Sequence, residues 1–208
     1  TLATRLTDKT DGLLVGGITT HSADDQKGHA ESYTINAGVA SRATDKIAYR
    51  MTAGVEIYTG FDDQDTEVGF SYDLGGFWRA TEKLTLSLSG RSAYEPAEDV
   101  GQNSMLVSTV GLKADYRPLT RWQFTLGGAY RREDYVDNIV VNNAAVQTVA
   151  DGGEDRTDDQ LCGHAQVVFG LNKYASLFAN GIYTYTTSSI DDLDYDRWRV
   201  SAGIALRY

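Results

Sequence analysis

Polar and apolar residues alternate along most of this chain, most clearly at its end. From Arg197 to Tyr208, Trp198, Val200, Ala202, Ile204, Leu206 and Tyr208 fall on one parity; Arg197, Arg199, Ser201, Gly203, Ala205 and Arg207 fall on the other. A period of two is the signature of a β-strand with one apolar and one polar face. Upstream, Tyr33, Ile35, Ala37 and Val39 share a face, then Ile47, Tyr49, Met51, Ala53, Val55 and Ile57, then Val68, Phe70, Tyr72, Leu74 and Trp78. Later runs carry Leu84, Leu86, Leu88 and Tyr94, then Leu106, Val110, Leu112, Ala114 and Tyr116. Trp122, Phe124, Leu126 and Tyr130 follow, then Leu161, Ala165, Val167, Phe169 and Leu171, and finally Tyr174, Phe178 and Ile182. Together with a glycine-rich run over 11–21, the pattern predicts an all-β protein of about ten antiparallel strands. Each is about 10–14 residues long, and crossing a bilayer at barrel tilt takes roughly 9–11.

The connections fall into two classes. Arg42-Ala43-Thr44-Asp45-Lys46-Ile47 recurs as Arg79-Ala80-Thr81-Glu82-Lys83-Leu84, as Arg117-Pro118-Leu119-Thr120-Arg121-Trp122, and in short form as Leu171-Asn172-Lys173-Tyr174. These read as tight turns. The alternate connections, 22–30, 60–65, 96–103, 137–157 and 188–196, are longer and acidic. Short turns at one end and long loops at the other is the polarity of a transmembrane up-and-down β-barrel with its turns in the periplasm. Residues 1–10 read as a periplasmic lead-in, although Leu6-Thr7-Asp8-Lys9 is similar to the later turns and points to an earlier strand ahead of it. Residues 137–157 read as a long extracellular loop, with a hairpin pattern around Asn142-Asn143-Ala144.

Composition narrows the setting. At 208 residues the chain reads as a single domain over 1–208. No apolar run approaches the roughly 18 residues of a transmembrane helix, and alternation hides membrane-crossing strands from a hydropathy scan. The 21 Gly and 13 Tyr against 2 Pro suit a crowded interior and aromatic girdles. No signal peptide is visible at Thr1, so the chain reads as mature or trimmed. The net charge of −10 argues against nucleic acid. A soluble barrel or sandwich also alternates. The membrane is favoured by strand-end aromatics (Tyr33, Trp78, Tyr94, Trp122, Tyr130, Tyr174, Trp198 and Tyr208), by the two loop classes, and by an opposite face too charged for a dry core.

Parity also predicts the lumen. Toward the outer end it places Tyr58, Glu67 and Tyr183 inward, and toward the periplasmic end Arg42, Arg79, Asp115, Arg117 and Arg207. The candidate constriction residues are Arg50, Glu56, Arg91, Glu95, Lys113, Arg131, Glu133, His164, Arg197 and Arg199. Small residues dominate near mid-height: Gly38, Gly54, Ser71, Ser89, Gly111, Gly127, Ala179, Gly181 and Gly203. They either leave a water-filled path or let the wall curve tightly and accept long inward side chains. Acidic residues sit in the outer loops, and basic ones gather at the periplasmic rim. Asp191 to Asp196 is oxygen-rich but lacks the glycine and distal Glu of an EF-hand loop.

Enzyme chemistry finds little footing. His21 and His29 flank the first loop, and Cys162 and His164 share the inward face of one strand, with Arg131, Glu133, Tyr183 and Tyr185 as candidate neighbours. Two ligands do not make a zinc site, and phosphate-loop, CxxC and dinucleotide motifs are absent from the sequence. The expectation is a protein that is not an enzyme and has no metal or cofactor. The single Cys162 excludes an intrachain disulfide.

The last strand resembles the C-terminal strand of bacterial outer-membrane β-barrels. Its assembly signal is matched here by Ser201, Gly203, Leu206 and Tyr208. The repeated turns resemble those of outer-membrane β-barrel porins of Gram-negative bacteria. The resemblance implies the bacterial outer membrane, with lipid, lipopolysaccharide and the barrel-assembly machinery as partners. An even strand count adds that both termini are periplasmic. The function implied is a small passive channel for ions or small hydrophilic solutes. The alternative is a closed structural barrel that anchors a partner or displays extracellular loops for a protein partner.

Overall fold

The computed structural model describes residues 1–21, 30–59, 66–95, 105–135, 139–142, 145–148, 156–190 and 193–206. They form β1 (Leu2–Thr7), β2 (Thr10–His21), β3 (Ala30–Thr44), β4 (Ile47–Thr59), β5 (Thr66–Arg79), β6 (Leu84–Glu95), β7 (Met105–Leu119), β8 (Trp122–Tyr135), β9 (Ile139–Asn142), β10 (Ala145–Thr148), β11 (Thr157–Gly170), β12 (Ala175–Ser188) and β13 (Tyr195–Leu206). Eleven strands make one antiparallel meander, in chain order from β1 to β8 and then β11 to β13; β9 and β10 pair separately as the hairpin expected in the longest loop. Arg207, Tyr208, His29 and most of the long acidic loops lie outside the described residues.

The main sheet has eleven strands against an expected ten or so, and the additional one lies at its start. Residues 1–10 are not a lead-in, because Leu2–Thr7 is a strand that pairs with β2 across Asp8-Lys9, with Leu2 opposite Leu14 and Thr4 opposite Gly12. Gly12 gives Leu6 its seat: a Cβ there would come within 3.3 Å of the Leu6 side chain. β1 and β13 are the two edges of the sheet, and both run toward the short-turn end.

The repeated turn sequence has a mechanism. Thr44 Oγ1 accepts from Lys46 N at 3.2 Å and Ile47 N at 3.1 Å. Thr81 Oγ1 accepts from Lys83 N at 3.2 Å and Leu84 N at 3.0 Å. Asn172 Oδ1 does the same for Tyr174 N at 2.8 Å and Ala175 N at 2.9 Å. A short polar side chain two or three residues ahead of a backbone donor closes a turn in this way. Neighbouring turns are then tied in series: Arg42 N donates to Lys9 O, Arg79 N to Lys46 O, Arg117 N to Lys83 O and Gly170 N to Arg121 O, at 2.7–2.9 Å.

One register line crosses the whole sheet: Arg5, Asp11, Ala40, Arg50, Gly75, Ser89, Gly111, Ala129, Cys162, Thr184 and Arg197 are successive partners. It begins two residues from the turn end of β1 and finishes nine residues from that end of β13. A climb of seven residues is about 23 Å, across ten spacings of about 4.8 Å. That stagger is what tilted barrel strands require.

The two faces differ as predicted. Ile35, Val55, Phe70, Leu112, Leu126, Val200 and Ile204 are exposed on the outer face, whereas Ser32, Asn36, Thr52, Glu56 and Ser71 are buried on the inner one. An apolar face this continuous, left uncovered by the protein, is the face a bilayer covers. Two predicted faces are corrected. On β12, Leu177, Ala179, Gly181, Tyr183 and Tyr185 point outward, and Phe178 and Ile182 point inward, because Val168 and His164 on the inner face of β11 are their register partners. Ala179 and Gly181 therefore line a shallow lipid-facing groove of about 620 Å³ with Leu126, Ala165 and Val200.

The second correction is Tyr94. Pairing of β5 with β6 stops at Tyr72 opposite Ser92, while β5 continues to Thr66 beside β4. Beyond that point the β6–β7 hairpin leans over the inner face of β4 and β5. Tyr94 is only 6% exposed. Its ring stacks on Tyr58 with centroids 5.4 Å apart. It also fills the space over Gly69, where a Cβ would come within 2.7 Å of the ring.

Candidate functional site

The inner face of the sheet carries the chemistry, and its register shows which side chains meet. At the loop end, Arg131 Nε bonds Glu133 at 2.5 Å and its Nη2 reaches Glu95 at 3.4 Å. The Tyr135 hydroxyl donates to Glu133 at 3.0 Å, and the Arg156 guanidinium lies 4.3 Å over the Tyr135 ring. Arg156 in turn holds Asp158 at 2.5 Å, and Ser188 Oγ donates to Asp158 at 2.6 Å. Of the candidate lumen residues, Glu95, Arg131 and Glu133 are thus brought together. Tyr135, Arg156, Asp158 and Ser188 were not among them, although Asp158 shares the parity of Cys162 and His164.

Below this network the inner face is polar but uneven. Lys113 pairs with Asp115 at 3.1 Å, and Thr125 Oγ1 donates to Asp115 at 2.7 Å. Thr85, Asp115, Thr125, Gln166, Asn180 and Ser201 form one unbroken polar register line over six strands. Ser201 and Asn180 are hydrogen-bonded across β12 and β13. One register step toward the loops lie Lys113, Gly127, His164, Ile182 and Arg199. A cavity of about 340 Å³ lies against both lines.

The candidate constriction residues do not form a ring at one height. Arg50 and Arg197 share a register line yet sit near opposite ends of their strands, because the line climbs. Arg91 lies opposite Asp73 and Thr109, and Thr109 lies opposite Arg131. Glu56 is 3% exposed and accepts from Tyr94 N at 3.3 Å. Arg50 borders a cavity of about 950 Å³ at the turn end with Arg5, Lys9, Asp11 and Arg42.

His164 and Cys162 share the inner face, but the expected neighbours Glu133, Tyr183 and Tyr185 are not gathered around them. The imidazole points its Cε1 at Gly127, where a Cβ would come within 2.1 Å of it. The Thr184 hydroxyl is 3.9 Å from Cys162 Sγ. Glu133 faces Asp158, six residues along β11 from His164, which is about 20 Å. Tyr183 and Tyr185 point to the opposite face. Among the described residues, no three His, Cys, Asp or Glu side chains are grouped to hold a metal ion. Of the expected assembly residues, Ser201 points inward, Leu206 outward and Gly203 inward under Phe178, whose ring lies 2.9 Å from where a Cβ would stand; Tyr208 is outside the described residues.

A tilted antiparallel meander with an apolar outer face, a charged inner face and alternating short and long connections is the wall of an outer-membrane β-barrel. The chain belongs to the family described as Putative beta-barrel porin 2, whose sequence profile matches residues 19–208. Among solved structures, the chain is similar to a loop-deletion form of OmpT, an outer membrane protein of Vibrio cholerae (10% identity, TM-score 0.46, 94% of this chain and 62% of that one). It is also similar to the NanC porin (13% identity, TM-score 0.39, 96% and 93%) and to a mutant of the TodX monoaromatic hydrocarbon channel (10% identity, TM-score 0.43, 99% and 72%). The chain spans about three fifths of the Vibrio protein it matches. No curated protein matches it.

Proposed function

We propose that the protein is a porin-like passive channel for ions or small hydrophilic solutes, with its short turns and the end of β13 in the periplasm; the expectation of two periplasmic termini does not hold for this chain, because an eleven-strand meander puts the start of β1 at the opposite, loop end. The observation that supports this most directly is the polar register line from Thr85 to Ser201 on the inner face of a sheet whose outer face is apolar. Solutes would pass by diffusion along the inward Arg, Lys and carboxylate groups, with no covalent chemistry. Membrane lipid and lipopolysaccharide would surround the barrel, the assembly machinery would read its last strand, and the extracellular loops would be free to meet a protein partner. Nucleic acid and cofactors have no part in this reading, and the protein is not an enzyme.

The second reading, a closed structural barrel, is favoured by the rings that occupy the lumen: Tyr94 over Gly69, His164 over Gly127 and Phe178 over Gly203. Single-channel conductance in a planar bilayer separates the two, once folding has been checked by heat-modifiable gel migration. Discrete steps support the channel. A folded barrel without steps refutes it in favour of the closed barrel.

A further inference from the structure

The five short turns are not equivalent in charge. Three carry an acid directly before the base: Asp8-Lys9, Asp45-Lys46 and Glu82-Lys83. In the other two the acid is replaced by a neutral residue, giving Thr120-Arg121 and Asn172-Lys173. Those two turns are adjacent across the β8–β11 pairing, and Gly170 N bonds Arg121 O at 2.8 Å to hold them together. They enclose a notch of about 310 Å³ bordered by Arg117, Arg121, Lys173, Gln123, Asn172 and Ser176. Among the described residues that border it there are three cations and no carboxylate, in a chain whose net charge is −10.

The larger cavity at the same end shows the contrast. There Arg5 is paired with Asp8 at 3.2 Å, and Asp11 faces Arg5 in register. At the notch, the inward carboxylate on the same strand as Arg117 is Asp115; it is bonded directly by Lys113 and Thr125, and Arg117 reaches it only through its field. Lys173 Nζ is held 4.7 Å over the Tyr174 ring, which positions the charge without neutralising it. Three like charges around one concave space raise the local potential, and an anion that bridges them relieves their repulsion. Arg supplies forked donors suited to planar or tetrahedral oxyanions, and Gln123, Asn172 and Ser176 add neutral donors.

We propose that this notch at the turn-end mouth binds the phosphate or carboxylate group of a small solute. The inference rests on the inner face being a solvated pore wall, but binding needs no conductance, so the two readings can fail separately. Because the notch opens on the inner face, the ligand is a dissolved anion and not a phospholipid headgroup.

The test is calorimetric titration of inorganic phosphate into the folded full chain in zwitterionic detergent at low ionic strength. Saturable binding is expected, weakened about tenfold by each of Arg117→Gln, Arg121→Gln and Lys173→Gln, since charge-assisted hydrogen bonds to anions are the strong kind. Lys46→Gln and Lys83→Gln, in acid-balanced turns, are expected to change it less than twofold. No saturable binding by the folded protein overturns the proposal, as does an equal loss in the two control variants, which would mean a diffuse field. Displacement of phosphate by phosphatidylglycerol in mixed micelles, but not by phosphatidylcholine, overturns the solute in favour of a lipid headgroup.

Discussion

Substituting Gly38 or Gly54 with Ala is expected to destabilise the barrel by about 3–5 kcal/mol. A Cβ at Gly38 would stand 1.9 Å from Met51 O and 2.6 Å from Thr52 Cα, and one at Gly54 would stand 1.9 Å from Ile35 O. These obstacles are backbone, so no rotamer change relieves them. Restoring an ordinary contact of about 3.4 Å means parting β3 and β4 locally by about 1.5 Å, which takes nearby ladder hydrogen bonds from about 2.9 Å past any useful length. Two such bonds at a net of about 1 kcal/mol each, with overpacking strain of about 1–3 kcal/mol, give the estimate. Gly163 and Gly181 are the controls, because a Cβ at either meets nothing within 4 Å. Alanine there is expected to be neutral or stabilising by about 0.5–1 kcal/mol. The assay is denaturant unfolding in detergent micelles, followed by tryptophan fluorescence and by heat-modifiable migration. If Gly38→Ala and Gly54→Ala unfold at the same midpoint as Gly163→Ala, the close approach of β3 and β4 is not what these glycines serve. If they keep their midpoint but lower conductance, the glycines belong to a water path instead.

Tyr94→Ala removes the ring stacked between Tyr58 and Gly69 and is expected to raise single-channel conductance; an unchanged conductance places the narrow point elsewhere. Arg131→Gln and Glu133→Gln, measured singly and together, are expected to show a coupling of about 0.5–1 kcal/mol in unfolding, because the pair is only partly buried; zero coupling would deny the contact any role. Arg197→Gln and Arg199→Gln are expected to shift the reversal potential in a salt gradient while leaving stability within about 0.5 kcal/mol; an unmoved reversal potential removes them from the ion path. Cys162→Ser and His164→Ala are expected to leave function intact, and complete loss on His164→Ala alone would restore an enzymatic reading.

Alternation made the wall legible wherever one parity was apolar and the other was not. The faces of β3, β4, β5, β8 and β13 follow directly from the residues, and the turns follow from Thr44, Thr81 and Asn172 once their hydrogen bonds are considered. The failures have local causes. On β12 both parities are apolar, and taking Tyr174 as the phase marker inverted the strand, since Tyr174 belongs to the turn. Phe178 can face inward only because Gly203, twenty-five residues later, leaves room for its ring. Tyr94 keeps its parity with Leu106, its partner on β7. What changes is the location of the hairpin, which has left β5, and no period within one strand reports that. Apart from Ala179, Gly181 and Tyr183, the described candidate lumen residues share the inner face, but they spread over different heights because a register line climbs by seven residues from β1 to β13.

The glycines of the inner face decide how much lumen remains. Those predicted near mid-height were open to two readings, gaps for water or seats for the wall and its side chains; four of them, and Gly69 nearer the loop end, have definite occupants. Gly38 and Gly54 receive the backbone of the neighbouring strand, and Gly69, Gly127 and Gly203 receive the rings of Tyr94, His164 and Phe178. None of the five widens a pore. A conducting path therefore has to run where no ring lies over the wall. The line of Asp115, Thr125, Gln166, Asn180 and Ser201 meets that condition, bordered by the cavity against His164. Asp115 is held by Lys113, so the line presents mainly neutral amide and hydroxyl groups, and the charges at its ends would set any selectivity. Among the described residues, the cations there are Arg117 (which also lies in the field of Asp115), Arg121 and Lys173 at the turn end, and Arg197 and Arg199 on the loop side. Both sets are cationic, so a path of this kind would favour anions despite the acidity of the chain as a whole.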